Sequence, residues 1–213
     1  MSIAKVLFVS RLVLLLAIVL NSTVVLALDP TLRTSQYAHT SWRLQDGVFN
    51  GIPTAIVQTA DGYLWIGTSS GLVRFDGVRF VPWTPPPEGP PVSKSVYSLS
   101  ASRDGSLWIG ASDLMRLKDG KLSSYQNLDA RINAILEDPA GGVWVTRSRT
   151  QDGRGPLCHV SDDRVKCFGN RDGISIPYAG ALFRDVAGTL WLGGSGGLAR
   201  GKPGSFETFI PPA

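Results

Sequence analysis

The stretch Asp61-Gly-Tyr-Leu-Trp65-Ile-Gly67 decides the fold, because it returns three more times along the chain. The other copies are Asp104-Gly-Ser-Leu-Trp108-Ile-Gly110, Ala140-Gly-Gly-Val-Trp144-Val-Thr146 and Ala187-Gly-Thr-Leu-Trp191-Leu-Gly193. Each copy has Gly three residues before Trp and an aliphatic residue on either side of it. The Trp residues are 43, 36 and 47 residues apart, and periods of this size indicate a repeat architecture.

Each Trp motif sits inside a longer unit of short strands. A short apolar strand precedes it, and two more strands follow, most clearly over 71–80 and 113–122. Four antiparallel strands repeating every ~40–50 residues around an aromatic are typical of a β-propeller blade. We therefore predict an all-β fold, a partial β-propeller of four four-stranded blades plus an N-terminal strand. The predicted repeats are about 51–91, 92–129, 130–174 and 175–213, the third being eroded by an insertion between Arg147 and Gly155.

The four Trp residues are interpreted as structural. The Leu-Trp-Ile pattern is apolar at consecutive positions, so both faces of that strand should be buried, as they are in a sheet stacked between two others. We expect the rings of Trp65, Trp108, Trp144 and Trp191 between blades rather than exposed as platforms for a ligand. The Arg residues that follow the motif (Arg74, Arg116 and Arg200) are expected at a blade edge or paired with a carboxylate of the next blade.

The region before the first repeat divides into two parts. Residues 1–27 are predicted to be a secretory signal peptide, because Lys5 and Arg11 flank the apolar run 12–20 and small residues precede a cleavage site after Ala27. The alternative is an uncleaved membrane anchor over 6–28, although Arg11 leaves only a short clean apolar stretch. Residues 28–50 are a lead-in in which 41–47 is predicted to be the last strand of a blade that has no beginning in this chain.

Charge argues against a nucleic-acid partner. The formal net charge of +4 falls to +2 without the leader, which carries two of the basic residues. No cluster of Lys or Arg stands out, and export would remove the opportunity to meet nucleic acid.

The only two cysteines, Cys158 and Cys167, flank a predicted hairpin that turns at Asp162-Asp163. In that register the cysteines face each other at a non-hydrogen-bonded pair, where the Cα atoms approach closely enough for a disulfide. An exported, oxidising setting favours the bridge, and two buried free thiols are the alternative. Without nearby His or acidic ligands, a zinc site is not expected.

The run from Gly62 to Phe80 resembles the repeat of the two-component regulator propellers, and 38–47 is similar to the segment that opens such sensors. The resemblance implies the periplasmic input region of a sensor histidine kinase, and therefore periplasmic localisation and ligand sensing without enzymatic activity. Family members commonly carry a full seven-bladed ring, whereas this chain has four units and no kinase region. We expect a fragment or a truncated relative, which could associate with itself or with further propeller blades.

No motif for catalysis, a metal or a cofactor is found. His39 and His159 lack matching partners, and the acidic residues of the Asp-Gly pairs are interpreted as turn formers. The polar positions just before the innermost strands are Asn50, Lys94, Arg131 and Tyr178, which we predict to contact a small molecule or an oligosaccharide-like ligand. The alternatives to a sensor are a propeller-type lyase or hydrolase and a structural module that docks a partner.

Overall fold

The computed structural model describes residues 32–36, 40–47, 50–91, 93–125, 128, 130–148, 153–162 and 164–212. The chain divides into two units, 1–41 and 42–213. In the first unit, the described residues include a short 3-10 turn at Thr34–Gln36. The predicted signal peptide and His39 lie outside the described residues. Across the described ranges, no helix is long and apolar enough to span a bilayer.

The second unit contains four four-stranded antiparallel sheets, each formed by consecutive strands. The strands of the first two sheets are β1 (Pro53–Gln58), β2 (Leu64–Thr68), β3 (Gly71–Phe75), β4 (Phe80–Pro82), β5 (Ser98–Ala101), β6 (Leu107–Gly110), β7 (Leu114–Lys118) and β8 (Lys121–Tyr125). Those of the last two are β9 (Ile132–Glu137), β10 (Val143–Arg147), β11 (Leu157–Ser161), β12 (Arg164–Phe168), β13 (Tyr178–Arg184), β14 (Leu190–Ser195), β15 (Gly197–Lys202) and β16 (Ser205–Phe209).

The sheets stack in chain order through their first strands. β1 packs against β5, β5 against β9, and β9 against β13, so these four strands are the innermost strands of successive blades. The second strand of every sheet carries the Trp motif and lies between the first and third strands. The predicted all-β partial propeller is therefore confirmed.

The second strand is buried on both faces because each blade is covered by its neighbours. Trp65 lies in one apolar cluster with Leu107, Ile109 and Met115 of the second blade. Trp108 packs in the same way on the third blade, and Trp144 packs on the fourth. Trp191 is only half-buried, since no further sheet follows it in the described part of the chain. Trp65, Trp108 and Trp144 are thus wedged between their own blade and the next.

The indole of each of the four motif Trp residues is also fixed in the same way within its own blade. The Nε1–H donates to the side chain six residues earlier, over 2.7 to 3.1 Å. The acceptors are Thr59, Ser102, Asp138 and Asp185. A buried indole N–H needs such a partner, so the residue six positions before Trp belongs to the structural repeat.

Polar side chains link successive blades along the inner strands. Thr54 donates its hydroxyl to the carbonyl of Val96 over 2.6 Å, and Ser98 donates to Ile132 over 3.0 Å. Asn133 donates its amide to the carbonyl of Ala179 over 3.0 Å. The three acceptors all lie twelve residues before a Trp, so the bonds fix the same register at each junction between blades.

The N-terminal strand predicted over 41–47 is wrong. Residues 40–43 have no regular structure, and Leu44–Asp46 form a 3-10 turn. Trp42 instead packs edge-on against the rings of Phe75 and Phe80, with centroids 5.4 and 5.3 Å away. This contact holds the segment against the face of the first blade, whereas a strand would need the hydrogen-bonding edge of a sheet.

The two cysteines lie in the hairpin of β11 and β12, opposite each other in the register that the sequence predicts. They form a disulfide. Cys158 is fully buried, and Val160, two residues along the same strand, is buried beside it. The bridge therefore joins the third and fourth strands of the third blade.

Of the two positions expected for the motif arginines, a blade edge or an ion pair with the next blade, the second is wrong for Arg116 and Arg200. Arg116 pairs with Asp104 and Arg200 pairs with Glu207, each within its own blade. Both guanidinium groups also lie 5.4 Å from the centroid of their blade's Trp ring. The antiparallel register places Arg directly opposite Trp on the neighbouring strand. The guanidinium group therefore lies beside the Trp ring of its own sheet.

Candidate functional site

The four predicted ligand residues lie at equivalent ends of the inner strands. Asn50 precedes β1, Lys94 precedes β5 and Arg131 precedes β9, while Tyr178 is the first residue of β13. We call this end of the blades the entry face. It also carries the loops that join the second strand of each blade to the third.

The structure does not bring the four residues into contact with one another. Among the described residues, no hydrogen bond, ion pair or ring contact joins any two of them. Asn50, Lys94 and Arg131 are exposed, and Tyr178 is half-buried with its hydroxyl close to Gly180. A ligand that used all four would have to bridge separate blades.

Arg131 does have an aromatic partner, which sequence reasoning missed. Its guanidinium carbon lies 3.9 Å from the centroid of the Tyr97 ring, across the junction between the third and second blades. Tyr97 stands eleven residues before Trp108, the position at which Thr54 and Asn133 also contact the next blade. That periodicity is the signal that could have identified it. The stacked guanidinium can still present N–H donors to a carboxylate.

The entry face also contains a cleft of about 830 Å³ between the third and fourth blades. One wall is the loop 153–156, between β10 and β11, and the other is 169–177, between β12 and β13. Its polar lining is Arg154, Asn170, Arg171, Asp172 and Ser175. None of the four predicted residues lines the cleft, although Tyr178 directly follows its edge.

The charge of the cleft favours a ligand with negative charge. The carboxylate of Asp172 accepts the Gly169 N–H over 2.9 Å and so belongs to the turn. The guanidinium of Arg171, the amide of Asn170 and the hydroxyl of Ser175 also line the cleft. Arginine binds carboxylates through two parallel hydrogen bonds, while amides and hydroxyls suit the hydroxyls of a sugar.

The first wall of the cleft is anchored by Arg147, whose role the sequence did not reveal. Its side chain is fully buried, donating from Nε to the carbonyl of Gly155 over 2.9 Å and from Nη1 to that of Leu128 over 2.7 Å. Its backbone N–H donates to Pro156 over 2.9 Å. The described residues 153–156, which follow the insertion after Arg147, therefore form one wall of the cleft.

A second polar cluster lies at the opposite end of the blades, around Asp138. Its carboxylate accepts the Trp144 indole N–H over 2.7 Å and contacts Arg184 of the fourth blade at 3.3 Å. His159 Nε2 lies 3.1 Å from the same carboxylate, and its ring centroid is 4.5 Å from that of Trp144. His159 takes the place opposite Trp that Arg holds in the other blades.

Opposing effects act on the carboxyl of Asp138. Burial raises its pKa, but the hydrogen bonds from Ala140 and Trp144 and the charges of Arg184 and His159 outweigh burial, so the pKa is lowered. Asp138 is thus an ionised link between two blades. Within the described ranges, no group of three or more His, Cys, Asp or Glu side chains could hold a metal ion.

The model of the two component regulator propeller family matches residues 47–70, which include the first Trp motif. Residues 47–70 are a two component regulator propeller repeat. The resemblance found in the sequence is confirmed by this match. No curated protein sequence matches the chain.

Solved structures share the fold of this repeat array. The extracellular domain of a hybrid two component system, BT3049 of B. thetaiotaomicron, superposes with a TM-score of 0.68 at 17% identity, over 80% of this chain and 26% of that one. Virginiamycin B lyase from Staphylococcus aureus superposes with a TM-score of 0.55 at 20% identity, over 76% of this chain and 56% of that one. The gluconolactonase XC5397 of Xanthomonas campestris superposes with a TM-score of 0.58 at 17% identity, over 76% of this chain and 62% of that one. The chain spans about a quarter of the length of the two-component relative.

Proposed function

We propose that this chain is the ligand-sensing propeller module of an exported two-component sensor, without enzymatic activity of its own. The observation that carries the proposal is the two component regulator propeller repeat at residues 47–70. The likeness to a domain described as extracellular adds support at the level of the fold.

Two features support export to an oxidising compartment. The disulfide between Cys158 and Cys167 is of the kind that persists outside the cytoplasm. The leader 1–27 has the pattern of a secretory signal. We expect the protein purified from the periplasm to begin at Leu28, which N-terminal sequencing would test, and an N-terminus at Met1 would argue for the membrane-anchor alternative.

The proposed ligand is a carboxylate-bearing oligosaccharide that binds the cleft of the entry face. Arg171 is exposed on the second wall of the cleft and would pair with the carboxylate, while Asn170 and Ser175 would bind hydroxyl groups. Arg131, stacked on Tyr97, would contact a longer ligand toward the inner strands.

Calorimetric titration with oligogalacturonate as the probe tests this proposal. We expect saturable binding that Arg171→Ala weakens about tenfold or more, since it removes a charge-assisted pair. Arg164→Ala is the matched control, because Arg164 is an exposed arginine at the opposite end of the blades. Binding that Arg171→Ala and Arg164→Ala leave equally intact would contradict the proposed cleft.

The same protein tests the enzyme alternative, which the lyase and lactonase neighbours keep open at the level of the fold. Lyase and lactonase turnover by the purified chain would be measured with and without the changes Arg131→Ala and Tyr178→Phe. Turnover that either change abolishes would replace the sensor proposal with a catalytic one.

A further inference from the structure

Apolar side chains remain exposed on both end faces of the blade stack. On the first blade, Trp42, Leu64, Ile66, Phe75 and Phe80 surround Ile56 in a groove of about 430 Å³, which we call the first-blade groove. On the fourth blade, Phe183, Leu198 and Phe209 are exposed around the half-buried Trp191, and we call this set the fourth-blade face.

The internal junctions explain why these side chains are exposed. The residue nine positions before Trp faces the preceding blade: Leu99 packs beside Trp65 in this way. The residue eight positions before Trp faces the following blade, as Leu136 does against the fourth. The corresponding end residues are Ile56, which is 66% exposed, and Phe183, which is 62% exposed. Ile56 and Phe183 each occupy a position that packs against an adjoining blade at the internal junctions, but no described blade covers them.

The first-blade groove has the form of a site for a Trp from a preceding blade. Leu107 and Ile109, which surround Trp65, flank their own Trp in sequence, and their counterparts Leu64 and Ile66 line the groove. The segment before the second blade contributes Trp83, whose ring meets Trp65 edge-on at 6.4 Å. Trp42 precedes the first blade in the same manner and is 47% exposed.

Polar groups at the two ends are compatible with the same junction. Inside the molecule, Asp138 forms an ion pair with Arg184 of the next blade. Asp138 lies six residues before Trp144, and Arg184 lies seven residues before Trp191. The corresponding end residues are Asp185 and Gln58, a carboxylate and an amide donor. Gly180 stands where Thr54 and Asn133 donate to the next blade, so this junction would lack one side-chain hydrogen bond.

We propose that two copies of this chain associate head to tail, with Trp191 of one copy entering the first-blade groove of the other. The occupant is a second copy because a single chain carries both halves of the interface, and those halves match the junctions already formed between its own blades. Such a heterologous contact makes a closed ring if the rotation allows it and an open series of copies if it does not.

Sedimentation equilibrium of the purified chain over ~1 to 100 µM tests the association, a range suited to a micromolar dissociation constant. We expect the weight-average mass to rise at least twofold for the wild-type chain. Ile56→Glu and Phe183→Glu should each block this rise by placing a charge in the interface, and both residues are exposed enough to change without unfolding the blade. Val78→Glu is the control, because Val78 is 81% exposed in the turn between β3 and β4 and is not among the residues that line the first-blade groove.

Mixing the two variants determines the orientation. Ile56→Glu keeps the fourth-blade face, and Phe183→Glu keeps the first-blade groove, so an equimolar mixture should form a dimer that grows no further. A wild-type chain that stays monomeric throughout, or an Ile56→Glu variant that still associates by itself, would overturn the proposal. So would a loss of association in the Val78→Glu control.

Discussion

At the scale of single residues, the position six places before each Trp holds the repeat together. Thr59, Ser102, Asp138 and Asp185 differ in chemistry, but each accepts the indole N–H of its own blade. The side chain can vary as long as it supplies an acceptor at that place. A change that removes the acceptor leaves a donor unpaired beside the ring, and such a loss costs about 1–3 kcal/mol.

Thr59→Val therefore should lower the free energy of unfolding by about 1–3 kcal/mol, because Trp65 loses its acceptor in a buried site. Thr59→Ser keeps the hydroxyl and should cost less than Thr59→Val. Urea denaturation followed by Trp fluorescence measures both. A Thr59→Val variant as stable as the wild type would show that the hydrogen bond to Trp65 contributes nothing to stability.

Asp138 should make the free energy of unfolding depend on pH in the acidic range. Its side chain is only 14% exposed, and its lowered pKa means that the folded state favours the ionised form. This contribution is present above the unfolded pKa, about 3.9 for Asp, and is lost as pH falls through the lower folded value.

Asp138→Asn is thus expected to destabilise the chain at pH 7 and to show less loss of stability below about pH 4 than the wild type. Thermal unfolding across pH checks this. Glu88→Gln is the control, because Glu88 is an exposed acidic residue for which no ion pair is described. If the Asp138→Asn and wild-type curves ran parallel down to low pH, the ion pairs around Asp138 would contribute nothing.

At the scale of elements, short-range patterns predicted the strands well. The turn between β7 and β8 is one example: Asp119 and Gly120 both adopt positive φ, 50° and 76°, as a tight Asp-Gly hairpin requires. The cysteine hairpin likewise follows from counting outward from its turn. Both depend only on neighbours in the sequence, and such information is present in the sequence itself.

Features that depend on contacts distant in sequence were missed. The lead-in was predicted as a strand because 41–47 resembles one, but Trp42 packs on Phe75 and Phe80, more than thirty residues away. Tyr97 under Arg131 and the cleft beside the third-blade insertion also require two blades to be placed side by side. No local pattern contains that information.

The disulfide is expected to stabilise its blade. Replacing Cys158 and Cys167 by Ala should cost about 2–3 kcal/mol, the entropy of closing a loop of this length. The same loss should follow when the wild-type chain is reduced with dithiothreitol, and the double variant should not respond to reduction. Calorimetry in both redox states measures the difference. An effect of the reductant on the double variant would show that the loss of stability on reduction does not come from this disulfide.

At the scale of the whole molecule, the repeat predicts a gradient of burial along the chain. Trp65, Trp108 and Trp144 are wedged between two blades, while Trp191 is half-buried and its described contacts are with its own sheet. The same stacking brings the loops of the entry face together and leaves both end faces open. The sensor proposal and the head-to-tail association therefore depend on one claim, that the four Trp residues occupy equivalent places in stacked blades.

Hydrogen exchange of the indole N–H groups, followed residue by residue by NMR, tests that claim most directly. The measurement belongs at a low concentration, at which the chain is monomeric. We expect Trp65, Trp108 and Trp144 to be strongly protected, and Trp191 to exchange much faster because its ring is half-exposed. Similar, rapid exchange of all four indoles would contradict the stacked-blade account.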